Sequence, residues 1–286
     1  MNIRDVVAAC VLTIAAVPAY AQGPGQTPAQ EWVQPERSKA NVEALARVQV
    51  KHYKLPTGSA PEATGTIDME YRLYVPTKYD TSRPNPLVIA LHGLGSGTSY
   101  MMEYSNLVEL AEQYGYIVAT PMGYNESGWY GARGQGNEFN RRAADPGPAN
   151  LGALSELDVL DVLKTVRGDY NVDPHRIYLI GQSMGGGGTL YIGSKYPDTW
   201  AALAAMAPAI YISPDTIAGA QKLPVMVVQG DADTQVNPAV TRSWVAKMKE
   251  LGMKYEYIEV PGGTHNSAGR LNIDKVFAFI DKQRKP

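Results

Sequence analysis

Cysteine occurs once in the 286 residues, at Cys10. It falls inside a segment with the pattern of a signal peptide. Arg4 supplies the charged start, Val6 to Val17 an apolar stretch too short to span a bilayer, and Ala19-Tyr20-Ala21 an A-x-A cleavage site. A buried N-terminal helix is the other way to read residues 1–21, but a Gln/Pro/Gly tract follows at once. Cleavage before Gln22 leaves no cysteine, which excludes a disulfide, a thiolate metal site and a thiol nucleophile. A surplus of charge is also missing. Twenty-six basic against 28 acidic residues give a net charge of −2, so nothing points to nucleic acid or to an anionic membrane. Beyond residue 21 no apolar run is long enough for a transmembrane helix. Phenylalanine is scarce and tyrosine plentiful, 3 against 18. The expected product is an exported, soluble protein, periplasmic or secreted.

What is present is enough apolar sequence, 44% of residues, for one large core. Residues 22–60 read as an N-terminal extension, with helix-forming sequence from Glu36 to Lys54, and 61–286 as one domain. Thr66 to Val75 alternates apolar and polar residues, as a half-buried antiparallel strand does. Leu87–Leu91, Tyr116–Thr120, Ile177–Ile180, Trp200–Met206 and Val225–Gln229 are continuous apolar runs, and Lys254–Val260 alternates. Helical segments are expected at 101–114, 154–170, 189–195, 238–251 and 273–282. Strand and helix alternate from residue 87 onward, which implies an α/β fold with a mostly parallel sheet covered on both faces. Glu156, Asp158 and Asp161 read as a solvated helix face rather than a metal site. Residues 121–152 form a long connection with Tyr124, Trp129, Tyr130, Arg133, Arg141, Arg142 and Asp145. Its aromatic content suits a wall of a binding cleft, with Trp129 and Tyr130 as substrate-binding candidates. Whether it forms a lid is not fixed by spacing.

Gly181-Gln182-Ser183-Met184-Gly185 is a G-x-S-x-G pentapeptide between a buried strand and a helix. At the apex of such a turn a serine is held in a strained conformation with its hydroxyl out of the sheet, and the flanking glycines let strand and helix approach. The N–H of Met184 then points where an oxyanion would form. Two more polar residues end buried or half-buried strands, Asp233 and His265. Histidine can take a serine's proton, and a carboxylate on its other ring nitrogen fixes the tautomer. Asp231 is the competing carboxylate.

The chain resembles the α/β-hydrolases. Within them it is similar to exported bacterial esterases of the dienelactone-hydrolase and prolyl-oligopeptidase-like group, which overlap in pattern with feruloyl esterases and polyhydroxybutyrate depolymerases. The resemblance rests on Leu91-His92-Gly93-Leu94, on Asn171 through Tyr178, on Gly181 through Gly186, on Gly230-Asp231-Ala232-Asp233 and on Gly262-Gly263-Thr264-His265. These pieces span roughly residues 66–283 and occur in the order the superfamily requires. The resemblance implies the α/β-hydrolase fold, Ser183 as nucleophile, Asp233 as triad acid by its place in G-x-x-D, and His265 as base. It implies the backbone N–H groups of Leu94 and Met184 as oxyanion donors, His92 as a structural support of that loop, and no metal or organic cofactor. A dienelactone hydrolase would carry a cysteine nucleophile, and none is present. The run Ser183 to Gly188 also resembles the nucleophile turn of cutinase-type polyester hydrolases, which have Trp where this chain has Gln182.

The resulting expectation is a serine carboxylesterase for small or polymeric esters, aryl (feruloyl-type) or polyester among them. A serine peptidase of the prolyl-oligopeptidase-like type is one alternative, although there is no room for a gating propeller. A non-catalytic binding protein on the same fold is the other.

Overall fold

The structure, a computed structural model, describes residues 32–56, 65–133 and 148–286. The expected signal peptide, and Arg141, Arg142 and Asp145 of the long connection, lie outside the described residues. The first half of the chain forms α1 (Lys39–Leu45), β1 (Gln49–Pro56), β2 (Thr66–Tyr74), β3 (Asn85–Leu91), α2 (Ser99–Met102), α3 (Leu107–Tyr114) and β4 (Ile117–Pro121). The second forms α4 (Leu151–Asp169), β5 (Val172–Gln182), α5 (Met184–Lys195), β6 (Ala202–Met206), β7 (Val225–Gly230), α6 (Pro238–Glu250), β8 (Tyr255–Val260), α7 (Ser267–Arg270) and α8 (Ile273–Asp281).

The eight strands make one sheet in the order β1-β2-β4-β3-β5-β6-β7-β8. β2 is antiparallel to both its neighbours, and β3 to β8 run parallel. This is the α/β-hydrolase architecture. Every residue of β3, β4, β6 and β7 is buried, because helices cover both faces. Successive residues of β3 feed opposite layers. Leu87, Ile89 and Leu91 pack with Val159 of α4, Leu190 of α5 and Trp244 of α6. Val88 and Ala90 pack with Leu107 of α3 and Phe277 of α8. Among the described residues no helix is long and apolar enough to cross a membrane.

Four expectations change. Residues 36–54 do not form one helix. The helix stops at Leu45, and Gln49–Pro56 pairs with β2 from Gln49↔Leu73 to Pro56↔Thr66. Lys51, Tyr53 and Leu55 turn inward at a period of two, so the extension supplies the sheet's edge strand. The helix expected over 101–114 is broken between Met102 and Leu107, where Ser105 adopts φ 53°. The nucleophile helix begins at Met184, not Thr189, so the four glycines 185–188 are helical. Close packing demands them. A Cβ on Gly185 would lie 2.1 Å from the carbonyl oxygen of Leu91, and one on Gly188 would lie 2.7 Å from Cβ of Tyr130.

The fourth change concerns α4, where Glu156 and Asp158 are buried rather than solvated. Glu156 receives Lys195 Nζ at 2.7 Å together with the Tyr196 hydroxyl. Asp158 accepts from the backbone N–H groups of Gly123 and Tyr124 and from the Tyr53 hydroxyl. One carboxylate therefore ties β1 and α4 to the connection after β4. Burial pushes its pKa up to about 6, although those donors pull the other way.

Candidate active site

Ser183 follows the last residue of β5 and precedes the first of α5. Its backbone sits at φ 57°, ψ −119°, a conformation that costs a non-glycine residue about 1–3 kcal/mol. The surroundings hold it there from both sides. Ser183 N–H donates to Met206 O at 2.9 Å, and its carbonyl accepts from Gly187 N–H at 3.0 Å and Ala209 N–H at 2.9 Å. As the first residue of α5, Met184 has an N–H with no acceptor within the helix.

Asp233 and His265 lie just beyond the carboxyl ends of β7 and β8, on the same sheet edge as Ser183. His265 Nε2 is 2.8 Å from Ser183 Oγ. His265 Nδ1 is 2.8 Å from Asp233 Oδ2. The carboxylate is itself fixed. Its Oδ1 accepts from the N–H groups of Gln235 and Val236, each at 2.8 Å, and Oδ2 accepts from Gln229 Nε2 at 3.0 Å. Burial pushes the Asp233 pKa up, but the hydrogen bond from His265 and those backbone N–H groups outweigh it, and the net shift is downward. Asp231 turns elsewhere. It accepts from Gly262 N–H at 2.7 Å and so holds the turn that precedes His265.

The loop after β3 borders the serine, since a Cβ on Gly93 would stand 3.4 Å from Ser183 Cβ. Leu94 comes next, its side chain 54% exposed, so its position depends on the backbone of the loop. His92 supplies that support. Its ring is wholly buried and reaches Gly93 O through Nδ1 and Met122 O through Nε2, both at 2.8 Å. Burial, outweighing these two contacts, depresses its pKa. Tyr130, expected in the cleft wall, has no exposed surface. Its hydroxyl accepts from His92 N–H at 3.2 Å, and its ring meets the His92 ring edge-on at 5.7 Å. It props the loop from behind. Trp129 is 8% exposed and lies under the guanidinium of Arg133, 3.6 Å from its ring centroid. Tyr211, half exposed, meets Trp129 edge-on. Trp129 and Tyr130 both adopt positive φ in a 3-10 turn, Trp129–Gly131.

Four supporting residues escape the sequence reading: Gln182, Tyr100, Gln229 and Thr241. Gln182 is buried and puts Nε2 3.4 Å from both Nε2 and the carbonyl oxygen of His265. Its Oε1 accepts from the Tyr100 hydroxyl at 3.1 Å. Gln229 joins Asp233 to Thr241, whose hydroxyl donates to Gln229 Oε1 at 2.8 Å. A signal was available for the glutamines, because each ends a buried apolar strand with a polar group that must find partners. Tyr100 carried none. Among the described residues no three His, Cys, Asp or Glu side chains gather as a metal site.

Such a site can move one proton from a hydroxyl to an imidazole while the hydroxyl oxygen attacks an electrophilic carbon. Comparison with known proteins agrees with that chemistry. A family model described as "Putative esterase" matches residues 63–270. Feruloyl esterase B of Neurospora crassa is 30% identical over 46% of this chain and 41% of its own length. Cutinase 2 of Thermobifida cellulosilytica is 26% identical over 68% of this chain and 76% of its own. The crystal structure of a thermostable esterase superposes with a TM-score of 0.64 at 22% identity, over 85% of this chain and 64% of that one. The chain spans about two fifths of the length of the curated relatives it matches at 30% identity.

Proposed function

The chain belongs to the Esterase family, and from that premise we propose that it is a serine carboxylesterase acting through Ser183, His265 and Asp233. The observation that carries this reading is the unbroken path from Ser183 Oγ to His265 Nε2 and from Nδ1 to Asp233, each link 2.8 Å. Ser183 Oγ attacks the ester carbonyl carbon as its proton passes to His265 Nε2. The carbonyl oxygen becomes an oxyanion that accepts from the N–H groups of Met184 and Leu94. Collapse breaks the bond to the alcohol, which leaves with the proton from His265 and gives an acyl-enzyme. Water then attacks, His265 takes its proton, and the acid departs as Ser183 regains a hydrogen. Asp233, held ionised, keeps Nδ1 protonated and stabilises the imidazolium.

Two kinds of substrate fit this reading, aryl esters of the feruloyl type and polyesters. Both are in keeping with the names of the relatives. We place the chemistry in residues 61–286 and propose export with cleavage before Gln22, which the amino-terminal sequence of the mature protein would reveal. The test of the activity is a hydrolysis panel for residues 22–286 and Ser183→Ala. It contains 4-nitrophenyl acetate and longer acyl esters, methyl ferulate, a soluble polyester and a proline-containing anilide. Ester turnover is expected, lost by roughly 10⁴-fold or more in the variant. A good anilide rate without ester turnover would make the protein a peptidase, and full activity in the variant would remove Ser183 from the chemistry.

A further inference from the structure

Arg270 ends α7, the short helix that begins two residues after His265. Three aromatic rings surround its guanidinium carbon: Tyr104 at 4.4 Å, Tyr100 at 5.5 Å and Trp32 at 5.7 Å. Such faces hold a guanidinium in place without neutralising it. Among the described residues no carboxylate lies within ion-pair distance of Arg270. The neighbouring Glu103 is 3.6 Å from Arg37.

Arg270 opens into a cleft of about 360 Å³ that it lines with Gln34, Arg37, Ser96, Ser99 and Tyr100. Its lining thus contains two arginines, two serines and a tyrosine, with Glu103 as the one carboxylate. Ser96 belongs to the loop that borders Ser183, and Tyr100 donates to the glutamine that touches His265. The cleft therefore shares a loop and a hydrogen-bond network with the triad residues.

We propose that this cleft receives a free carboxylate carried by the ester substrate, with Arg270 as its main partner, so that the enzyme selects esters of this anionic class. The inference rests on the esterase reading and deepens it. A carboxylate matches the donor fork of a guanidinium, and the hydroxyls of Ser96 and Ser99 can donate to its remaining lone pairs. Because the cleft is open to water, the preference weakens as salt rises.

Two matched pairs of esters test this. Mono-4-nitrophenyl glutarate against 4-nitrophenyl valerate puts the carboxylate in the acyl part. 4-Acetoxybenzoate against its methyl ester puts it in the alcohol part. In at least one pair, the ratio of kcat/KM for the anionic to the neutral ester should fall about tenfold or more in Arg270→Gln, the scale of one charge-assisted hydrogen bond. The change should lie in KM, and Arg270→Lys should recover part of it. Ratios that match wild type in both pairs, while neutral esters are still hydrolysed, would overturn the carboxylate site and leave the esterase reading intact. If no ester were turned over, the esterase reading would fail. Calorimetric titration of glutarate into Ser183→Ala then reads the cleft without turnover. Binding that Arg270→Gln removes supports the site, and binding that is absent or unaffected overturns it.

Discussion

Ser183 is exposed to attack chemistry only because its backbone is kept in a conformation that side chains resist. The donors and acceptors that hold it, Met206, Gly187 and Ala209, come from the strand beside it, its own helix and the following loop. The same logic governs Asp233. Three donors other than His265 fix the carboxylate, and under the proposed mechanism it orients the imidazole rather than taking its proton. Asp233→Asn keeps the shape but presents an amide that favours the wrong tautomer of His265. We expect kcat to fall by about 10⁴ with the fold unchanged, measured by ester kinetics beside a thermal melt. A fall in kcat of less than tenfold would mean that His265 is oriented by something else. That Ser183, Asp233 and His265 meet at one sheet edge was legible in the sequence, because each follows a hydrophobic strand. The partners of Tyr130 and Gln182 were not, although a polar residue at the end of a buried strand marks Gln182 as needing some. What they do depends on what lies across from them, His92 in one case and the Tyr100 hydroxyl with His265 in the other, and linear spacing does not record such pairs.

At the scale of elements, two features are held by interactions a sequence reader would discount. After Met184, α5 runs through four glycines that look like a turn, and they are glycine because Leu91, Met206, Ala209 and Tyr130 leave no room for a Cβ. Gly188→Ala drives a methyl into Tyr130 next to its Cβ, where little can give. A loss of about 1–3 kcal/mol is expected, with activity reduced as Tyr130 shifts the His92 loop. A denaturant titration would measure it, and an unchanged midpoint would show that the helix has slack. α4 carries Asp158, whose folded pKa of about 6 lies above the unfolded value near 3.9. Between these limits the folded state keeps a proton that the unfolded state has released. Stability from this group is therefore highest below pH 4 and falls as pH rises to 6, by on the order of 3 kcal/mol. Asparagine can accept from Gly123 and Tyr124 and donate to Tyr53. Asp158→Asn should therefore raise Tm at pH 7.5 and flatten its pH dependence between 4 and 6. A lower Tm at pH 7.5 would mean that the three donors outweigh the burial of charge.

The described residues form one eight-stranded sheet with a core on each face and Ser183, Asp233 and His265 along one edge. That plan was readable from the alternation of apolar runs and helices after residue 87. The first strand was not, because Gln49–Pro56 has only Tyr53 and Leu55 as apolar inward residues and its sequence is equally compatible with a helix. Nor was the break after Met102, where Ser105 takes a positive φ inside a good helical pattern. With one cysteine in the chain, no disulfide can form within it, and a reductant should leave Tm unchanged. The claim on which the account depends is that Ser183 is activated by His265. A fluorophosphonate probe tests it directly, since an activated serine displaces fluoride and keeps the phosphonyl group. Peptide mapping of the labelled protein should find one adduct, on Ser183, with labelling lost in Ser183→Ala and strongly slowed in His265→Ala. Labelling at another residue, or at an undiminished rate in His265→Ala, would contradict it.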